Sequence, residues 1–185
     1  MSRSTKQALA KTLKQLMEHT PFEKITVKEL VQACGVNRQT FYYHFQDIYG
    51  LLGWIYTTDT YESLVECRSY GTWQQGLQQV LAYVCANRGF CLNTYRSLAR
   101  DHLYRFLRSV TFELLLDVLN ELARDSAVSE QDRRFIADFY TYGILGVLID
   151  WMEGGLKEPP EVVVKKLAQL LEGDFKRAIE KYAAT

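Results

Sequence analysis

Proline is scarce in this chain: Pro21, Pro159 and Pro160 are the only ones in 185 residues. The long stretch between them has no residue that must break a helix. The Val-Ile-Thr alternation of half-buried strands is absent too, so the chain reads as helical nearly throughout. Net charge is also missing. Lysine plus arginine and aspartate plus glutamate each number 22, which excludes a histone-like or wholly basic polymer binder. The four cysteines, Cys34, Cys67, Cys85 and Cys91, form no C-x-x-C pair. They read as buried thiols of a reducing compartment, with a redox role open to Cys67, Cys85 or Cys91 only if exposed and activated. There is no glycine-rich phosphate loop, no G-x-S-x-G and no H-E-x-x-H, and His19, His44 and His102 lie far apart. No enzyme activity, cofactor or metal is therefore expected. The opening MSRSTKQALAKTLKQL lacks the apolar core of a signal peptide. The most apolar stretch, Phe135 to Met152, carries Asp138 and Asp150 and reads as a poor membrane span. A cytoplasmic protein with no membrane partner is expected.

What is present is a core-forming composition, 48% hydrophobic and 13% aromatic, with its charge unevenly spread. Residues 1–46 hold seven cations and three anions, whereas residues 47–185 hold fifteen cations and nineteen anions. A basic head on an acidic body leaves one end suited to nucleic acid. The pattern predicts an all-α chain of about nine helices: Ser4 to His19, then 27–33, 38–44, 47–66, 73–86, 88–97, 101–123, 130–153 and 160–182. Thr20-Pro21, Gly71-Thr72 and the run Glu153-Gly-Gly-Leu-Lys-Glu-Pro-Pro160 supply the breaks. Residues 1–50 are expected to form a three-helix head and residues 51–185 a helical body.

The head contains ITVKELVQACGVNRQTFYYHFQ, residues 25–46. Thr26 and Glu29 have the spacing of a capping box, and Ile25 with Leu30 that of a hydrophobic staple. Gly35 falls where a helix end wants a left-handed residue. Val36 is a candidate plug and Asn37 a candidate cap for the next helix. This is helix, tight turn, helix. On the second helix Phe41 and Phe45 must face inward with Val36. Arg38, Gln39, Thr40, Tyr42, Tyr43 and His44 remain around the rest. Arginine suits guanine, glutamine suits adenine, and a threonine methyl suits the thymine methyl in the major groove. Arg38, Gln39, Thr40 and Tyr43 are thus candidate base readers. Thr26, Lys28, Tyr42 and His44 are candidate phosphate contacts, and Asn37 is counted with them among the DNA-binding candidates. An ordinary helical hairpin with a polar surface would show the same periodicity. The capping box, the spaced glycine and the local basic charge argue against it.

In the body, the segment 135–152 is apolar almost all round. Such a helix buries both sides, one in its own core and one against a partner. Gly143 and Gly146 permit close approach. Phe139, Gly143, Gly146 and Val147, with Val164, Ala168, Leu171 and Phe175 of the last helix, are the candidate interface of a symmetric dimer. A monomer that buries both rows internally is the alternative. A dimer would hold two reading helices about 34–36 Å apart on a palindromic DNA site. The middle helices are rich in aromatics. Trp54, Tyr61, Tyr83, Phe106 and Trp151 are candidate walls of a small-ligand pocket, though aromatics at helical spacing equally form plain core. His102, Arg105 and Arg108 read as an anion site or as solvated surface.

The run GVNRQTFYYHFQD resembles the pattern G-V-(S/N)-x-x-T-(L/F)-Y-x-H-F of TetR-family transcriptional regulators. Gly35, Val36, Asn37, Thr40, Phe41, Tyr42, His44 and Phe45 match in order and spacing. YGILGVLIDWMEGGLKEPPEVVVKKL is similar to the last two helices of many members. The resemblance implies a homodimeric DNA-binding regulator whose operator affinity is modulated through the body by a small molecule. Ile48 and Gly50 depart from the lysine and acidic residue usual there, and that lysine commonly holds a phosphate. The run Phe45 to Leu52 resembles instead a subgroup that includes regulators of dihydroxyacetone kinase operons. That subgroup implies the alternative of an activator controlled by a protein co-activator.

Overall fold

The computed structural model describes residues 2–58 and 67–183. Among them the chain is all-α: α1 (Ser2–Met17), α2 (Val27–Cys34), α3 (Arg38–His44), α4 (Ile48–Thr58), α5 (Trp73–Ala86), α6 (Arg88–Tyr95), α7 (Arg100–Leu122), α8 (Glu130–Glu153), α9 (Pro160–Leu171) and α10 (Asp174–Ala183), with one 3-10 turn at Phe22–Lys24. Two compact units result. The first combines Met1–Asp59 with Ala86–Phe106, and the second combines Thr60–Cys85 with Leu107–Thr185.

In the first unit, α1 buries Leu9, Leu13 and Met17, one heptad-like stripe, against the neighbouring helices. It ends at Met17, before the predicted stop at His19. The turn past that end is held from far along the chain, by α6. The Asn93 side chain donates to the carbonyls of Met17 and Thr20 at 2.8 and 2.7 Å, and its own oxygen accepts from the Phe22 amide at 2.9 Å. One amide thus satisfies carbonyls left open past a helix end and a donor left open at the next turn. Nearby, Lys14 donates to Asn87 Oδ1 at 2.9 Å and lies over the Phe90 ring. The amide of Leu98 donates to Glu23 at 2.9 Å. Deeper in, the Tyr56 hydroxyl donates to Thr94, which donates onward to the Phe90 carbonyl. The Tyr56 ring packs between Phe90 and Phe106. His102, at the start of α7, sits against Gly53 of α4. Burial there, helped by Arg105, lowers its pKa against the opposing pull of Asp101 and Asp47.

In the second unit α8 begins at Ser129, whose hydroxyl accepts from the Asp132 amide at 3.1 Å. One flank of α8 is buried: Ile136, Ala137, Thr141, Ile144, Leu145, Leu148, Trp151 and Met152. Arg108 fastens it to α7, pairing with Asp138 at 2.7 Å and donating to the Tyr142 hydroxyl at 3.3 Å. Among the described residues α8 alone is long and apolar enough to cross a membrane, and 44% of its apolar window is buried inside the protein. Pro160 opens α9 at a position where its missing N–H costs nothing. The single predicted helix 160–182 is divided. Gly173 takes a left-handed conformation (φ 79°), and α10 starts afresh at Asp174. That turn carries Phe175 inward between Trp73 and Tyr140, with ring centroids 5.5 and 5.0 Å away.

Asn93→Ala removes three hydrogen bonds from a partly buried site. It should lower stability by about 2–4 kcal/mol in urea denaturation.

Candidate DNA-binding head

The residues predicted to read DNA occupy α2, α3 and the turn between them. Thr26 caps α2 in an extended conformation, and both halves of the capping box are formed. Its hydroxyl accepts from the Glu29 amide at 3.2 Å, and its own amide donates to the Glu29 carboxylate at 2.8 Å. These bonds from Thr26, aided by Lys28, hold the Glu29 carboxyl below the usual carboxylate range. The Thr26 hydroxyl also donates to that carboxylate, so a phosphate must share it. Ile25 and Leu30 are both buried, as a staple requires. Gly35 ends α2 at φ 71°, and the Val36 amide returns to the Val31 carbonyl at 3.0 Å. Any residue with a Cβ would be strained at that φ. Val36 is half-buried rather than a full plug.

Asn37 caps α3. Its oxygen accepts from the Thr40 amide at 2.7 Å and from the Thr40 hydroxyl at 2.9 Å. Asn37 therefore shapes the helix start, and the Thr40 hydroxyl is committed to it. What Thr40 retains for DNA is its methyl group. Phe41 is fully buried and Phe45 nearly so, with ring centroids 6.0 Å apart. The opposite face is open. Arg38, Gln39, Tyr42 and Tyr43 are exposed, Tyr43 at 83%. His44 is half-buried with the Tyr43 ring edge-on to it at 4.9 Å. Lys28 is exposed at the start of α2, and neither Lys28 nor Arg38 forms an ion pair with any described residue. A short helix with a guanidinium, an amide and two phenols on its outer face, beside a capped helix that crosses it, has the donors to enter a major groove.

The body residues separate differently. On α8, Phe139, Gly143, Gly146 and Val147 are exposed, with Phe135 and Tyr142 beside them. A Cβ placed on Gly143 or Gly146 meets nothing within 4 Å. Ala168 and Leu171 are half-buried. Val164 and Phe175, expected to face a partner, are instead 5% and 1% exposed within the protomer. Both belong to the core of the second unit, Val164 on the buried flank of α9 with Val163 and Leu167, and Phe175 because the break at Gly173 turns α10 back onto Trp73 of α5 and Tyr140 of α8. The pocket candidates are dispersed. Trp54 packs edge-on against Phe45, and Phe106 lies against Tyr56, both in the first unit. Tyr83 is half-buried on α5, and Tyr61 lies outside the described residues. Trp151 lines an open groove of about 440 Å³ with Val147, Val163, Leu167 and Leu170. Its indole N–H donates to the Glu158 carbonyl at 2.8 Å. Arg105 bonds back to the Asp101 carbonyl, and Arg108 is taken by Asp138 and Tyr142, so neither is held ready for an anion. Cys67 and Cys91 are buried, Cys34 and Cys85 half-buried, and all four are free thiols.

A capped helix-turn-helix with an exposed polar second helix, in a chain that is all-α among its described residues, is the architecture of helix-turn-helix DNA-binding transcription regulators. Residues 9–53 match the family model of bacterial regulatory proteins, tetR family, and residues 71–173 match that of the TetR-type transcriptional regulator C-terminal region. The chain belongs to the TetR family. It is 28% identical over 146 residues to the HTH-type dhaKLM operon transcriptional activator DhaS of Lactococcus lactis subsp. lactis (strain IL1403), covering 77% of this chain and 76% of that protein. Among solved structures it is similar to a dihydroxyacetone kinase operon activator DhaS, with TM-score 0.74, 24% identity, and 97% and 98% of the two chains covered. NalD, the secondary repressor of the MexAB-OprM multidrug efflux pump in Pseudomonas aeruginosa, has the same fold at TM-score 0.64 and 16% identity, over 97% and 98% of the chains.

Replacing Arg38 by alanine should cost about 1–3 kcal/mol in binding and relax sequence preference, whereas Lys28→Ala should weaken all duplexes alike. Titration across operator variants checks this. Equal losses on every duplex for Arg38→Ala would remove that side chain from the base readers.

Proposed function

We propose that this TetR-family regulator acts in the cytoplasm as a homodimer on a palindromic operator. Arg38, Gln39, Tyr43 and the Thr40 methyl read bases. Lys28, Tyr42, His44 and the Thr26 end of α2 hold phosphates. The observation that carries the reading is the exposed outer face of α3, braced from beneath by Phe41 and Phe45. The open apolar flank of α8, centred on Phe139, Gly143, Gly146 and Val147, supports self-association, because a soluble monomer has little reason to expose such a strip. Control enters through the body, where a small-molecule effector shifts the separation of the two heads by favouring one of two states. A second reading replaces that effector with a protein co-activator and makes the chain an activator. The likeness to DhaS, named as an operon activator, favours it. So does the open groove beside Leu170, which is 73% exposed.

Sedimentation of the purified chain should give a dimer, and Phe139→Asp should yield a folded monomer. Because linking two heads multiplies affinity by about 10²–10⁴, the monomer should lose most operator binding while keeping weak half-site binding. Selection of bound duplexes from a random pool should return an inverted repeat. A monomeric wild-type protein, or selected sites without symmetry, would overturn the dimer reading.

A further inference from the structure

Lys6 stands on α1, half-buried. Its ammonium lies 5.6 Å from the centroid of the Phe45 ring and 5.9 Å from that of Trp54. Those two rings are in edge contact with each other, 5.9 Å apart. Lys6 forms neither an ion pair nor a hydrogen bond with any described residue. A lysine free in solvent samples many rotamers, and fixing it costs conformational entropy. A cation over aromatic faces is attracted by their ring quadrupoles. Two such faces place this charge in advance while leaving its three donors unclaimed.

The location gives that charge its use. Phe45 caps the carboxyl end of α3, directly after His44. A helix lying in a major groove has a phosphate strand at either side. The start of α2, with Thr26 and Lys28, serves one. The His44 end serves the other, yet the chain from Phe45 to Thr58 contains no lysine or arginine, and its single charged residue is Asp47. Ile48, at the head of α4, is buried in the core. We infer that Lys6 is a DNA-phosphate contact for the strand flanking the carboxyl end of α3, seated there by Phe45 and Trp54. Lys6 supplies from α1 the cation that the α3–α4 turn lacks. Trp54 is then a platform for a DNA contact and not the wall of an effector pocket. This assignment rests on α3 being the DNA-reading helix.

The test is the salt dependence of binding by the full chain to a random-sequence duplex. Each phosphate contact contributes about 0.9 to the slope of log affinity against log salt. Lys6→Gln should flatten the slope by about that amount per head and weaken low-salt binding by roughly an order of magnitude. Lys6→Arg should restore the slope. Arg124→Gln, which removes one exposed body cation, controls for net charge and should leave the slope unchanged. Trp54→Leu keeps the ammonium but loosens it, so the slope should hold while affinity falls several-fold. A wild-type slope for Lys6→Gln, an equal flattening for Arg124→Gln, or full affinity for Trp54→Leu would overturn the assignment. A wild-type protein whose binding ignores salt would instead sink the reading of α3 itself.

Discussion

Two phenylalanines four residues apart decide which way α3 faces. α3 has 7 residues, too few to hold a helix by its own hydrogen bonds, since nucleation alone is unfavourable at that length. Phe41 and Phe45 anchor it from one side, and burying each ring stabilises the head by about 1.5–3 kcal/mol. With that side fixed, the period of the helix leaves Arg38, Gln39, Tyr42 and Tyr43 outward. The same Phe45 meets Trp54 of α4 and lies beneath the Lys6 ammonium. One ring therefore sets the orientation of the exposed face of α3 and the seat of a charge on a different helix.

Local chemistry then sharpens what burial permits. Thr26 and Glu29 close the start of α2, Gly35 ends it, and Asn37 opens α3. Each cap acts on neighbours only a few residues away. The helix-turn-helix is thus specified by short-range signals laid over one long-range constraint. The hydroxyls of Thr26 and Thr40 are both engaged in caps, whereas no cap engages the side chains of Arg38, Gln39, Tyr42 and Tyr43.

That division explains what was legible in the sequence. The caps, the glycine and the bounds of α3 followed from residues within one turn of each other, and the aromatic bracing followed from spacing. The Asn93 clamp did not, because its partners Met17, Thr20 and Phe22 come from a distant segment and asparagine on a helix carries no sign of them. Lys6 was hidden for the same reason. The break at Gly173 is masked by apolar residues that continue in helical step from Leu171 to Phe175. Val164 and Phe175 stand in an apolar row of the last helix, and such a row tells how much surface must be covered, not which covering belongs to the same chain. The exposed strip on α8 was legible as a surplus: its apolar residues outnumber what one flank of a helix can bury.

The discontinuous make-up of the first unit bears on how such heads are exchanged in evolution or by engineering. Residues 1–58 rest on α6 and the opening turns of α7, through Asn93, Asn87 and the Tyr56–Thr94 bond. A cassette cut at residue 50 would leave the carbonyls of Met17 and Thr20 without the Asn93 donor and the Phe22 amide without its acceptor. The reading module is thus not portable as a contiguous fragment. A transplant that changes operator preference must either carry residues 86–106 with it or confine itself to the outward side chains of α3.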